Sequence, residues 1–227
     1  MSKKDTCFII PAYNEEKNIF YIAKNLKKIG DLIIVDDCSN DNTLNIIKRL
    51  NIKIIKHKKN LGYEKSLISG FKLAKINKYK YIITFDADRQ HGFADAKKIL
   101  NYLKKNYAIV YGKRTNLPRL AEKLYSYYTN FFFNISDTLC GLKGYNSNQC
   151  KKIGLFNDRI YLGSKILLEG KRNKLRMLEI SIKIKQRRNE SRFGGALKGN
   201  LKIFQMMFLI FIDNLKNLLF SKKNINY

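Results

Sequence analysis

From Thr6 to Tyr111, short apolar runs alternate with stretches in which apolar residues recur every three or four positions. That is the written form of a parallel sheet covered by helices. The runs predict strands at residues 7–10, 32–35, 53–56, 81–85 and 108–111. In the first helix, Asn14 is expected to act as the cap, and Glu15 and Glu16 fall in the opening turn, where the helix dipole favours carboxylates. Ile19, Ile22, Ala23 and Leu26 form its buried face, and Gly30 is expected to stop it. A second helix carries Leu44, Ile47 and Leu50, and a third carries Leu67, Ile68, Phe71 and Ala74. Beyond Tyr111 the alternation lapses into an aromatic-rich helix at 120–133, a helical stretch at 161–169 and an alternating strand at 178–185. A basic loop at 186–192 follows, and then a long helical pattern at 201–220 with Phe204, Met207, Phe208, Phe211, Leu215, Leu218 and Leu219 on its apolar positions.

Polar clusters collect at the carboxyl ends of the predicted strands. The fourth strand runs into Asp86-Ala87-Asp88, and side chains two apart on an extended segment point the same way, so both carboxylates can face one cation or one group of phosphates. The second strand ends in Asp36-Asp37-Cys38-Ser39, and the first in Pro11-Ala12-Tyr13-Asn14-Glu15. In open parallel sheets ligands bind beyond the carboxyl ends of the strands, so these three clusters should line one crevice. Asp37 fits a turn role as well as a ligand role. Asn60-Leu61-Gly62-Tyr63 opens the third helix with a glycine, which admits a phosphate but equally makes an ordinary turn, and no GxGxxG or P-loop is present.

Composition adds one strong feature, a formal net charge of +27 from 45 Lys and Arg against 18 Asp and Glu. Such an excess attracts anionic partners, whether phosphates, nucleic acid or an acidic membrane face. A nucleic-acid binder should interleave its basic residues with stacking aromatics, yet residues 125–133 are aromatic without an internal basic residue, so no nucleic-acid partner is expected. Cys7, Cys38, Cys140 and Cys150 lack metal-site or disulfide-scaffold spacing and fit a reducing cytosol. The longest uncharged apolar run, residues 203–212, falls far short of the roughly 20 needed to span a bilayer, so the chain is not expected to cross one. The final helix has the makings of an interfacial helix, or of one packed on the sheet or on a second subunit.

The ordered set Ile9-Ile10-Pro11-Ala12-Tyr13-Asn14-Glu15, Ile34-Val35-Asp36-Asp37-Cys38-Ser39, Asn60-Leu61-Gly62 and Asp86-Ala87-Asp88-Arg89-Gln90-His91 resembles the family 2 glycosyltransferases of GT-A fold. Ser136-Asp137-Thr138 with Gly141, residues 163–169 and Arg188-Asn189-Glu190-Ser191-Arg192 resemble the dolichol-phosphate mannosyltransferase and polyprenyl-phosphate glycosyltransferase branch. The resemblance implies an α/β, Rossmann-like, mostly parallel sheet flanked by helices over residues 1–200. Residues 1–112 would form a nucleotide-sugar half and 113–200 an acceptor half, followed by a C-terminal amphipathic helix and tail at 201–227. It implies that Pro11, Tyr13, Glu15 and Asp36 hold the nucleoside, and that Asp86, Asp88 and Gln90 bind Mg²⁺ or Mn²⁺ and the diphosphate. Arg114, Arg188, Ser191 and Arg192 would bind the acceptor phosphate, so that Asp86, Asp88, Arg114 and Arg188 are the candidate catalytic residues. Gly92-Phe93 departs from relatives that usually carry prolines there.

The expected reaction follows. A divalent cation offsets the charge of the departing nucleoside diphosphate, and the acceptor inverts the anomeric carbon. A phosphate-monoester acceptor is largely ionised near neutral pH, its second pKa being about 6, and needs no general base. A saccharide hydroxyl would need one, with Asp137 or Glu169 as candidates. The partners implied are a nucleotide sugar, a polyprenyl phosphate, and a membrane surface or membrane protein at the cytoplasmic face.

Overall fold

The computed structural model describes residues 5–154, 162–185 and 196–221, so the expected loop bearing Arg188, Ser191 and Arg192 lies outside the described residues. The strands are β1 (Thr6–Ala12), β2 (Asp31–Asp36), β3 (Lys53–Lys56), β4 (Tyr81–Thr84), β5 (Ile109–Arg114), β6 (Lys143–Asn146) and β7 (Met177–Ile182). They form one sheet in the order β3-β2-β1-β4-β6-β5-β7. All neighbours are parallel except β6, which is antiparallel to both β4 and β5. The helices are α1 (Glu16–Leu26), α2 (Thr43–Lys48), α3 (Tyr63–Ile76), α4 (Phe93–Lys104), α5 (Leu120–Phe133), α6 (Ser147–Cys150), α7 (Leu162–Arg172) and α8 (Ala196–Ser221).

The first five strand expectations hold: the apolar runs of the inner strands are covered on both faces, while β3 pairs with β2 as a half-buried edge strand. Every residue of β1 is buried, as a parallel strand between two helical layers must be. On one face Phe8, Ile10, Ile34, Ile83 and Val110 pack with Ile19, Ile22 and Leu26 of α1 and Ile99 and Leu103 of α4. That layer fixes the heights of β1, β2 and β4, and so brings their carboxyl ends level.

Two local expectations are corrected. Asn14 does not cap α1: its backbone is left-handed at φ 53°, and Glu15 occupies the cap position without a side-chain cap bond. The Asn14 side chain instead accepts from Asn40 N–H (2.8 Å), while its own N–H donates to Ser39 Oγ (3.0 Å). Gly30 does not mark the end of α1 either, because the helix stops at Leu26, whose carbonyl accepts from both Ile29 and Gly30 N–H.

The chain divides into two compact units. The larger holds the sheet with α1–α4, α6 and α7, built from residues up to Thr115 and from Asp137 through β7. The smaller holds residues 116–136 and α8. Within it α5 packs on α8, with Asn214 Nδ2 donating to Tyr128 Oη. Asn134 closes α5 in the left-handed conformation, and Thr129 Oγ1 donates to Ile135 O (2.9 Å). Among the described residues no helix is long and apolar enough to cross a membrane.

Candidate active site

Asp86 and Asp88 follow β4 directly, where the strand opens into the turn leading to α4. Asp86 is held on both oxygens: Tyr63 Oη donates to Oδ1 (2.9 Å), and His91 Nε2 lies 3.2 Å from Oδ2. With the proton on Nε2, His91 presents an unprotonated Nδ1, which is buried without a partner among the described residues. Its ring meets the edge of Phe85, and Phe85 stacks on Phe93. Phe93 opens α4 after Gly92, whose φ of −80° is one a proline also adopts. Asp88 Oδ1 accepts from Gln90 N–H (3.1 Å), and Gln90 O accepts from Lys185 N–H (3.1 Å). Arg89, left-handed at φ 62°, donates to Lys17 O and lies 4.5 Å over the Tyr21 ring. The acidic turn is thus tied at four places to α1, α3, α4 and the segment after β7.

The other side of Asp86 is bounded by backbone. A Cβ on Gly141 would stand 2.0 Å from Asp86 Oδ2, so only glycine fits there. The register explains the approach. β4 and β6 pair Thr84 with Lys143, and continuing that antiparallel ladder sets Asp86 opposite Gly141. Thr84 Oγ1 donates to Gly141 O (2.7 Å) and accepts from Lys143 N–H (3.2 Å), which locks the two segments together.

At the end of β2, two adjacent aspartates have opposite fates. Both oxygens of Asp36 are buried with no hydrogen-bond partner among the described residues. Buried carboxylates are costly to leave unmatched, and such a group calls for a donor from outside the chain. Asp37 is fully used within it: Oδ1 accepts from His57 Nδ1 (2.7 Å) and Leu61 N–H (2.9 Å), and Oδ2 from Gly62 N–H (2.7 Å). His57 Nε2 continues to Ser69 Oγ (2.9 Å). Of the two roles open to Asp37, the structure therefore displays the turn role, clamping the loop before α3, where Gly62 takes φ 89°. Asp37→Ala is expected to lower the unfolding free energy by roughly 3 kcal/mol, measurable by urea titration, because it strands the buried His57 ring and two part-buried backbone N–H groups at once.

The β1–α1 turn is laced to the β2–α2 loop. Glu15 N–H donates to Thr43 Oγ1 (2.7 Å), Glu16 N–H to Asp41 Oδ2 (3.1 Å), and Asn42 N–H to Glu16 Oε2 (3.0 Å). Glu15 Oε2 accepts from Asn18 Nδ2 (2.8 Å). Pro11 is buried in β1 opposite Val35, and Tyr13 is half-buried just beyond the strand. The fold thus sets Pro11, Tyr13, Glu15, Asp36, Asp86, Asp88 and Gln90 at or just beyond the carboxyl ends of the neighbouring strands β1, β2 and β4.

Arg114 has a different setting from the one its charge suggests. At the end of β5 its Nε and Nη2 grip Asp137 at 2.7 and 3.0 Å, and its own N–H adds a third bond to the same carboxylate. Asp137 also accepts from Leu139 and Cys140 N–H. Glu169 pairs with Arg172 one turn further along α7. Both carboxylates considered as bases for a hydroxyl acceptor are therefore engaged. Burial pushes the Cys140 thiol up to about 12, so it is a packed, protonated side chain.

Sequence reasoning missed the hydrogen bond of Tyr63 to Asp86 and the structural task of Gly141. Tyr63 and Gly141 both lay within quoted motifs, but their link to Asp86 arises from strand order and register, for which local pattern carries no signal.

The glycosyl transferase family 2 model matches residues 7–150, and the chain belongs to that family; it is a glycosyltransferase. It is 30% identical to a UDP-N-acetylglucosamine–dolichyl-phosphate N-acetylglucosaminyltransferase of Methanococcus voltae, over 92% of this chain and 97% of that one. It is 24% identical to a dolichyl-phosphate β-glucosyltransferase of Trichomonas vaginalis, over 96% and 74% respectively. Among solved structures it resembles glucosyl-3-phosphoglycerate synthase from Mycobacterium tuberculosis in complex with Mn²⁺, UDP and glucosyl-3-phosphoglycerate. There the TM-score is 0.68 at 13% identity, covering 88% of this chain and 78% of that one, a likeness of fold that matches the expected GT-A architecture.

Proposed function

We propose that this enzyme transfers a sugar, with inversion, from a nucleotide sugar to a polyprenyl phosphate, and that the transfer depends on a divalent metal. The Methanococcus relative is named for a dolichyl-phosphate acceptor, and two features of the site support a nucleotide-sugar donor and a divalent metal here. Asp36 offers a buried, unmatched carboxylate to the N–H or O–H groups of a nucleoside, with Pro11, Tyr13 and Glu15 beside it. Asp86 and Asp88 present hard oxygen donors, the ligand type that Mg²⁺ and Mn²⁺ prefer. Among the described residues no cluster of three or more His, Cys, Asp or Glu could hold a metal by itself. A two-carboxylate site completed by Gln90, water and substrate phosphates fits that finding. When bound there, the cation supplies charge neutralisation for the departing diphosphate.

One observation carries the choice of acceptor. Asp137 and Glu169 are both committed to arginines, so neither is placed to take a proton from a sugar hydroxyl. A phosphate monoester asks for no base and only for hydrogen-bond donors to hold it, which Arg188 and Arg192 would supply as cations and Ser191 as a neutral hydroxyl. Incubation with a panel of nucleotide sugars, Mg²⁺ or Mn²⁺ and a short-chain polyprenyl phosphate should yield a glycosyl phospholipid by mass spectrometry, and a chelator should stop it. Product formed only on saccharide acceptors would overturn the reading.

Such an acceptor lies in a membrane, and the smaller unit offers a surface for reaching it. On α5 Leu120, Leu124, Tyr127 and Phe131 form one exposed stripe, and on α8 Leu201, Phe204, Phe208 and Phe211 form another. Lys123 and Lys202 are exposed on the same helices, and the chain as a whole is strongly cationic. This pairing of apolar and basic surface suits an anionic lipid face. These surfaces support a reading in which the protein works at the periphery of the cytoplasmic face. Phe131→Glu with Phe208→Glu is expected to cut co-flotation with phosphatidylglycerol vesicles by about tenfold or more, while leaving nucleotide binding intact.

A further inference from the structure

We propose that Lys143, on β6, is a phosphate-binding residue of this site, and that its ammonium receives an oxygen of the acceptor's phosphate. The inference rests on the polyprenyl-phosphate reading above and adds to it a cation that no motif in the sequence marked.

The register sets its direction. Thr84 and Lys143 are directly paired across β4 and β6, and Asp86 and Gly141 are the next pair on the same face. Residues opposed across a ladder project to the same side, as do residues two apart along a strand. Lys143 therefore leaves the sheet on the face that carries the Asp86 carboxylate. Its charge senses both Asp86 and Asp137.

Its burial makes it unusual. Lysines are rarely buried unless paired, yet Lys143 is only 5% exposed, and no hydrogen bond or ion pair to its ammonium is found among the described residues. Burial lowers its pKa, and the nearby Cys140, Asp137 and Asp86 act in the opposite direction. The neighbouring cation, Arg114, is neutralised by its two-pronged grip on Asp137. Among the described residues Lys143 is thus a buried cation beside the acidic turn whose charge is not taken up by a carboxylate in contact with it.

Space around the ammonium is kept by a glycine. A Cβ on Gly163, in the opening turn of α7, would lie 3.1 Å from Lys143 Nζ. The ammonium therefore reaches the backbone of α7, and Ser164 Oγ, donating to Thr138 O (3.3 Å), ties that turn to the segment before β6. A buried ammonium with no bonded partner among the described residues, under the influence of two carboxylates it does not pair with, is a receptor for an anion brought by a ligand. A phosphate carrying up to two charges is matched to it, because it must otherwise approach Asp86 against like charge.

Binding can be separated from turnover. Geranyl phosphate is titrated calorimetrically into the wild type, Lys143→Met and Lys143→Arg without donor, and UDP with Mn²⁺ is titrated in parallel. Lys143→Met is expected to weaken geranyl phosphate by about 10- to 100-fold and UDP by less than about twofold, with Lys143→Arg recovering much of the loss. Thermal melts identify any variant that does not fold; should Lys143→Met fail, Lys143→Gln replaces it. Unchanged geranyl phosphate affinity, or equal weakening of both ligands, would overturn the assignment, the latter placing the ammonium on the donor's diphosphate. Failure of the wild type to glycosylate any polyprenyl phosphate would instead count against the acceptor reading, whatever the binding data say of Lys143.

Discussion

Asp88→Ala is expected to abolish sugar transfer, with kcat falling on the order of a thousandfold or more, while the melting temperature shifts by only a few degrees. The separation follows from what Asp88 does for the fold. Asp88 Oδ1 accepts from Gln90 N–H within the same half-buried turn, and that turn is independently held through Arg89, His91 and Gln90 O, so it stays anchored when the carboxylate is removed. Its expected contribution to transfer is larger, because charge building on a departing diphosphate is worth several kcal/mol when it is met by a fixed cation. The check is turnover at saturating donor across a Mn²⁺ series together with circular dichroism. Full turnover in a folded Asp88→Ala protein would refute the carboxylate assignment.

Gly141→Ala is expected to damage both stability and activity. The added methyl would stand 2.0 Å from Asp86 Oδ2 and 2.5 Å from its Cγ, so either the β6 approach or the carboxylate must move. Asp86 cannot swing freely, since Tyr63 and His91 hold its two oxygens. Overpacking of this kind costs roughly 1–3 kcal/mol, and displacing a reacting group by an ångström can cost about a hundredfold in rate. Adding Asp86→Ala to Gly141→Ala should restore part of the lost stability and none of the activity, a coupling that a double-mutant cycle reads directly. Additive stability losses would mean that the close contact carries no weight.

The parallel half of the sheet was legible because each of its strands is an apolar run between two amphipathic stretches. Burial on both faces leaves that mark in composition as well as in position. β6 left none: Lys-Gly-Tyr-Asn is poor in strand formers, and it is extended because β4 and β5 both pair with it. Asn14 looked like a cap because capping is the commonest use of such a residue ahead of acidic helix positions. The actual bond runs 26 residues away to the β2–α2 loop, a partner that exists only after β1 and β2 have paired. Arg114 shows the same limit from the electrostatic side. A lone arginine in sequence reads as an available cation, and the fold hands it Asp137 from 23 residues on. The acidic pair after β4, by contrast, could be located without the fold from its place at a strand end, but the strand stops at Thr84 and Ala87 and Asp88 already turn toward α4, so the spacing alone does not fix which way the two carboxylates point.

The most direct test is an anomalous diffraction measurement on crystals grown with Mn²⁺ and UDP. A manganese peak within coordinating distance of Asp86 or Asp88, with the diphosphate beside it and the nucleoside reaching toward Asp36, is the predicted result. A folded crystal at saturating Mn²⁺ and UDP with neither ion nor nucleotide at the end of β4, or with both bound elsewhere on the chain, would contradict it.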